Sequence, residues 1–178
     1  MYYGSIKHSA SGDYLAFYGS IADANGTAYG SIDLTRKVGK AFFAKDFSAT
    51  TLTVNGEYAA IAHTLLPNSM GGGNVRGSVL FLDIDKQEGK TVSVNTGAES
   101  WLAAVSHDGK YIVTCDGGDG PSGVLRVYQV SNNEKVAEQE YTMNENCKPN
   151  QIFIQDSSAY AVLSTENGTM ISPAVNMP

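Results

Sequence analysis

The chain has 178 residues and a formal net charge of −6 at pH 7, and only 17% of its side chains are charged. An acidic chain lacks the basic surface that nucleic-acid phosphates require, so the composition argues against a nucleic-acid partner. No run of about 18 apolar residues occurs, so no membrane-spanning helix is predicted. Nineteen glycines and ten tyrosines indicate short strands joined by many turns.

The first 48 residues predict a unit of four strands. An inner strand containing His8 leads into the turn Ser11-Gly12-Asp13-Tyr14, and the apolar run Leu15-Ala16-Phe17 follows the turn. A third strand is predicted to open at Gly30 and a fourth at Lys40. A tight polar turn followed by an apolar run is typical of a β-hairpin.

The same pattern recurs three more times, at Asn55-Gly56-Glu57-Tyr58, Asp108-Gly109-Lys110-Tyr111 and Ser157-Ser158-Ala159-Tyr160. The four tyrosines are 44, 53 and 49 residues apart. Four antiparallel strands in about 40 to 50 residues are typical of one propeller blade. The repeat predicts a single domain over 1–178 with blades at about 1–48, 49–97, 98–145 and 146–178, the last one lacking its fourth strand.

The third repeat carries a resemblance to known proteins. Ser106-His107-Asp108-Gly109-Lys110-Tyr111, followed by the strand Gly123-Val124-Leu125-Arg126-Val127-Tyr128, resembles the repeats of WD40 and YVTN-type propellers. The Gly-His opening and Trp-Asp closing pairs of WD40 repeats are absent, so the YVTN-type, lactonase-like group is the closer likeness. The resemblance implies an all-β fold, a β-propeller or partial propeller built of four-stranded antiparallel blades. A β-sandwich is the alternative.

The strands at which the repeat pattern begins and ends bear on how the blades close into a ring. The pattern begins with an innermost strand and ends within or just after a third strand. We therefore expect a fragment of a larger propeller, a half-ring completed by a second copy, or a distorted four-bladed ring. Unpaired blade edges would favour association.

Candidate site residues follow from the loops that join the second and third strands. The resemblance implies that these loops share one face with the loops between blades, and loops on rigid scaffolds carry function. Trp101 and Glu99 begin an inner strand near the expected channel. The candidate ligand-binding residues are His63, Asn68, Asn74, Arg76, Glu99, Trp101, Asp116 and Asp119. The alternatives are a glycine-rich connector at 63–76, a core tryptophan and an acidic turn at 116–120.

No catalytic residue, metal site or cofactor is predicted. His8, His63 and His107 fall at positions that do not converge, with His107 in an exposed hairpin turn on the opposite face. No serine or cysteine comes with a histidine and acid partner. Cys115 and Cys147 are interpreted as free, at least partly buried thiols.

The leading functional hypothesis is a non-catalytic binding module that presents its loop-covered face to a protein, peptide or glycan. One alternative is part of a propeller enzyme, such as a lactonase-like hydrolase, with a channel site formed by His63, Arg76, Glu99 and Asp116. Another is a structural subunit that self-associates through open blade edges. The low-charge surface, rich in Asn, Gly and Thr, favours an extracytoplasmic location, in the periplasm or at the cell surface.

Overall fold

The computed structural model describes residues 3–21, 25–63, 77–94, 100–117 and 120–178. Within these ranges all regular secondary structure is β-strand. The described strands form three antiparallel sheets. No helix capable of crossing a bilayer occurs in this part of the chain.

The first two sheets are meanders in which each strand pairs with the next one along the chain. The first sheet consists of β1 (Tyr3–His8), β2 (Tyr14–Ile21), β3 (Gly26–Asp33) and β4 (Val38–Lys45). The second consists of β5 (Ala49–Asn55), β6 (Tyr58–His63), β7 (Ser78–Asp83) and β8 (Glu88–Ser93). These sheets confirm the predicted four-stranded antiparallel units. The third strand of the first unit begins at Gly26 rather than Gly30, because the turn into it closes at Asn25, where φ is +48°.

The third sheet has seven described strands and contains the last two repeats. Its strands are β9 (Ser100–Val105), β10 (Tyr111–Gly117), β11 (Gly120–Gln129), β12 (Lys135–Gln155), β13 (Ser158–Thr165), β14 (Gly168–Ile171) and β15 (Val175–Asn176). The first part of β12 pairs with β11 and the second part with β13, so that Cys147 lies opposite both Gly120 and Thr165. The predicted boundary at 145/146 thus falls inside one continuous strand.

Three of the four hairpin turns between first and second strands contain a glycine with positive φ. Gly12, Gly56 and Gly109 have φ values of +80°, +63° and +71°, a region that L side chains rarely adopt. Gly109 is also closely packed, because a Cβ there would lie 2.5 Å from the Tyr58 ring. The tyrosine of one repeat therefore packs over the turn of the next one.

Buried clusters join each unit to its neighbour. Tyr29 and Leu80 belong to the cluster between the first and second sheets, and Val79 and Ile112 to the cluster between the second and third. A third cluster packs β10 and β11 against β13. At the centre, β1 packs beside β5, β5 beside β9, and β9 beside β12. The repeats are thus stacked face to face around their first strands, as blades are.

Candidate functional site

The hairpin turns of the repeats lie at the same end of their sheets and form one surface, here called the turn face. Its turns span residues 9–13, 56–57, 106–110 and 156–157. Neighbouring turns touch: the Ala10 amide donates to the Gly56 carbonyl at 3.0 Å, and His107 Nδ1 lies 3.3 Å from Asn55 Oδ1. These contacts hold the turns in fixed positions relative to one another.

A cavity of about 470 Å³ opens on the turn face between the second, third and last units. This volume is within the range of small-ligand sites. We call it the turn-face pocket; it is lined by Asn55, Ser106, His107, Asp108, Tyr111, Ile154, Asp156, Ser157, Met177 and Pro178.

One wall of the pocket is a rigid hydrogen-bonded turn. Ser106 Oγ donates to Asp108 Oδ1 at 2.7 Å, and the Tyr111 amide donates to Ser106 Oγ at 3.0 Å. The Lys110 amide and ammonium both reach the Asp108 carboxylate. Partial burial alone would raise the pKa of Asp108, but the hydrogen bonds from Ser106 and Lys110 outweigh it and lower that pKa. Asp108 is therefore a fixed carboxylate that is already paired.

The other wall carries a second acid, Asp156, in the turn between β12 and β13. Its φ is +53°, a conformation that Asp adopts more readily than most residues. Its exposed carboxylate makes no hydrogen bond or ion pair with any other residue in the described ranges. Met177, which is buried, lies alongside, and its amide donates to the Ser157 carbonyl at 2.7 Å. With Ile154 and Tyr111, Met177 gives the pocket an apolar floor beneath a negatively charged rim.

Two polar side chains of the pocket already have hydrogen-bond partners within the chain. Ser106 is bonded to a carboxylate, and His107 lies against an amide oxygen. No group of three or more metal-ligating side chains occurs in the part of the chain that the structure describes.

Asp116, one of the predicted site residues, lies at the opposite end of β10 from the turn face. It is buried, and its Oδ2 pairs with Arg126 Nη1. Arg126 Nε in turn donates to Glu138 Oε2 at 2.7 Å, and Lys135 Nζ reaches the same oxygen at 2.8 Å. Asp116 Oδ1 is buried without a hydrogen-bond partner among the described residues. Sequence reasoning missed Arg126, although a lone charge inside Val124-Leu125-Arg126-Val127 is a visible signal of a paired strand residue.

The remaining predicted site residues lie at the edges of the described ranges or outside them. His63 ends β6 and Trp101 lies in β9, where only their backbones are described. Asn68, Asn74, Arg76, Glu99 and Asp119 lie outside the described residues. A ligand site on the face that carries the loops between second and third strands thus stays a prediction. The turn-face pocket is formed partly by residues that the sequence analysis treated as turn residues, such as Asn55 and Asp108, and His107 is indeed exposed in its turn.

No family model matches the sequence, and no curated protein matches it. Several solved structures resemble the fold. Hydrazine synthase from Kuenenia stuttgartiensis matches with a TM-score of 0.57 at 14% identity, over 90% of this chain and 43% of its own. The β-propeller domain of the Trilobed protease from Pyrococcus furiosus gives 0.53 at 10% identity, over 96% and 56%. A proposed 6-phosphogluconolactonase from Bacteroides uniformis gives 0.51 at 14% identity, over 97% and 54%.

At sequence identities this low, the structural similarity establishes the fold and nothing finer. They confirm an all-β propeller or partial propeller of antiparallel blades. The chain spans between 43% and 56% of the length of these three structures. A closer kinship with YVTN-type or WD40 repeats stays a prediction.

Proposed function

We propose that this chain is a non-catalytic binding module whose turn-face pocket receives a cationic side chain, lysine or arginine, of a peptide or protein. The observation that carries the proposal is the Asp156 carboxylate, which stands without a described partner beside an apolar floor. Asp108, on the opposite wall, already pairs with Lys110. Asp156 is therefore the carboxylate of the pocket whose negative charge is available to a ligand.

The shape of the pocket supports a long, amphipathic cation. Lysine and arginine bury their methylene stems on apolar surface while the charged head stays at a polar rim. Ile154, Met177 and Tyr111 provide that surface, and the Tyr111 ring can also attract a cation through its face. The net charge of −6 attracts basic partners at long range.

The experiment is a titration of the chain with two short peptides that differ at one position, lysine against norleucine, followed by NMR or calorimetry. We expect the lysine peptide to bind and the norleucine peptide to bind up to about fivefold more weakly, since one exposed charge pair is worth up to about 1 kcal/mol. Asp156→Asn should remove this preference. Asparagine tolerates the positive φ of this turn, so the fold should survive.

Asp13→Asn is the matched control, because Asp13 is an exposed turn-face acid of the first repeat that does not line the pocket. It should keep the lysine preference. Equal binding of both peptides by the unaltered chain, or equal loss in the two variants, would contradict a cation site at Asp156.

A further inference from the structure

The first sheet has an apolar surface on the side away from the second sheet. Ile6 pairs with Phe17 and Leu15 with Ile32, so these side chains share one face. Phe43, in the outermost strand, joins them through its partner Ala28. Ile6 is 57% exposed and Phe43 52% exposed. We call this surface the first outward face.

The last unit has a second such surface, on the side away from β10 and β11. Phe153 pairs with Tyr160, and Val162 pairs with Ile171. Phe153 is 50% exposed and Ile171 63% exposed, whereas the alternate residues of β13 are buried in the core. We call this surface the last outward face.

Exposure of large apolar side chains is concentrated on these two faces. Among the described residues six such side chains are exposed, and four of them are Ile6, Phe43, Phe153 and Ile171. Inside the chain, the equivalent faces are covered by the next unit. Within the described ranges, none of the buried clusters joins the first sheet to the last unit. Soluble monomers rarely leave large apolar patches uncovered.

We propose that a second copy of this chain covers both faces. The first outward face of each copy packs on the last outward face of the other, and the two contacts close a ring with two-fold symmetry. Each contact repeats the sheet-on-sheet packing that already joins neighbouring units within the chain. This inference is independent of the turn-face pocket.

The length of the chain, compared with that of two similar structures, supports a second copy as the partner that covers the two outward faces. The chain spans 56% of the Trilobed protease propeller domain and 54% of the Bacteroides uniformis structure. Two copies therefore supply about what one full propeller contains. Eight units are also within the roughly four to eight blades of closed propellers.

The experiment is sedimentation velocity over a wide range of protein concentration, with small-angle scattering on the main species. We expect a compact dimer with the profile of a closed ring. A monomeric chain, or one that forms open-ended aggregates, would overturn the proposal and would point to further blades of a longer protein as the covering partner.

Two substitutions test the arrangement of the contacts. Phe43→Asp and Ile171→Asp should each weaken dimerisation by about a hundredfold, since a charge enters an apolar contact. Val38→Asp is the control: Val38 is 51% exposed in the same strand as Phe43, but on the other face, and it should leave the dimer intact. A dimer that survives either Phe43→Asp or Ile171→Asp would contradict a head-to-tail ring.

Mixing the two monomeric variants provides a further check. Each keeps one unaltered face, so one intact contact can form between them, and we expect a weak heterodimer. Circular dichroism verifies folding, and Phe43→Ser with Ile171→Ser replaces any variant that does not fold. Absence of a heterodimer between folded variants would overturn the proposal. Dimerisation and lysine-peptide binding should fail independently, because Asp156→Asn leaves both outward faces unchanged.

Discussion

Neighbouring repeats are connected in two different ways. Between the first and second sheets the chain leaves β4, turns at Asp46 with a φ of +59°, and inserts Phe47 into the core. Thr27 Oγ1 donates to the Phe47 carbonyl at 2.6 Å and accepts from the Ala49 amide at 3.1 Å. Between the last two repeats there is no turn, and β12 runs through 21 residues.

We expect this difference to make the stability of the first two sheets partly independent of that of the last two repeats. The first two sheets are held together mainly by side-chain packing, with isolated backbone bonds such as that from Ala10 to Gly56. The last two repeats share a continuous backbone ladder through β12 as well as a buried cluster. We therefore expect the second half to open as one cooperative unit and the first half to open more independently.

The largest expected effect comes from cavities cut in the two halves. We call the last two repeats, which share the continuous strand β12, the fused half. Leu125 is fully buried in the fused half, and Leu82 is fully buried between the first and second sheets. Leu125→Ala and Leu82→Ala should each cost about 2–5 kcal/mol in the free energy of unfolding. Hydrogen exchange should distinguish them: Leu125→Ala should accelerate exchange across β9 to β14 together, because the ladder couples these strands.

Leu82→Ala is the matched control for that experiment. It should accelerate exchange in the first two sheets and leave β12 and β13 close to their original protection. Faster exchange confined to β10 and β11 in Leu125→Ala would show that the continuous strand does not couple the two repeats.

The hairpins of all four repeats could be predicted because their signals are local. In the second and third repeats an Asn-Gly or Asp-Gly pair stands between apolar runs, and Gly56 and Gly109 have the positive φ that such turns require. In the first and last repeats the signal is a short polar segment followed by a tyrosine and an apolar run. Fold class and strand pairing within each unit therefore follow from short-range patterns. The alternating burial of β13 does not follow from its own sequence, because the run Ala159-Tyr160-Ala161-Val162-Leu163 is apolar throughout and predicts burial on both faces.

The continuous strand β12 could not be predicted, since its middle contains residues typical of a turn. Asn144, Asn146 and Pro149 favour a break between the third and fourth repeats. The pairing of one end with β11 and the other with β13 overrides that preference, and Pro149 sits at an irregularity in the ladder. Similarly, the turn-face pocket depends on how separate turns meet in space, and no local pattern encodes that arrangement.

A second, smaller effect should appear at alkaline pH in the fused half. Burial raises the pKa of Cys115 from 9.0 to about 11, although the hydrogen bond with Tyr141 slightly opposes it. The folded state holds this proton more tightly than the unfolded state, so the stabilisation is complete below pH 9 and is lost as pH rises toward 11. The loss from this thiol should reach about 2–3 kcal/mol.

Urea unfolding at a series of pH values would measure this decline. Burial also raises the pKa of Tyr141, which adds in the same direction above its ordinary value of 10.0. Cys115→Ala should lower stability at neutral pH through its cavity but flatten the decline above pH 9. An unchanged slope in Cys115→Ala would assign the alkaline loss to other groups.

The smallest effect concerns the turn between the separate sheets. Thr27→Val removes a fully buried hydroxyl that bridges the Phe47 carbonyl and the Ala49 amide, at nearly constant side-chain size. We expect a loss of about 1–2 kcal/mol in urea unfolding, because two buried hydrogen bonds disappear while the packing remains. Thr27→Ser keeps the hydroxyl and should lose less. If Thr27→Val accelerates exchange in the first sheet but not in β12, the turn joins only its two neighbouring sheets. If both regions respond equally, the two halves unfold together, and the contrast between the junctions is one of geometry rather than of stability.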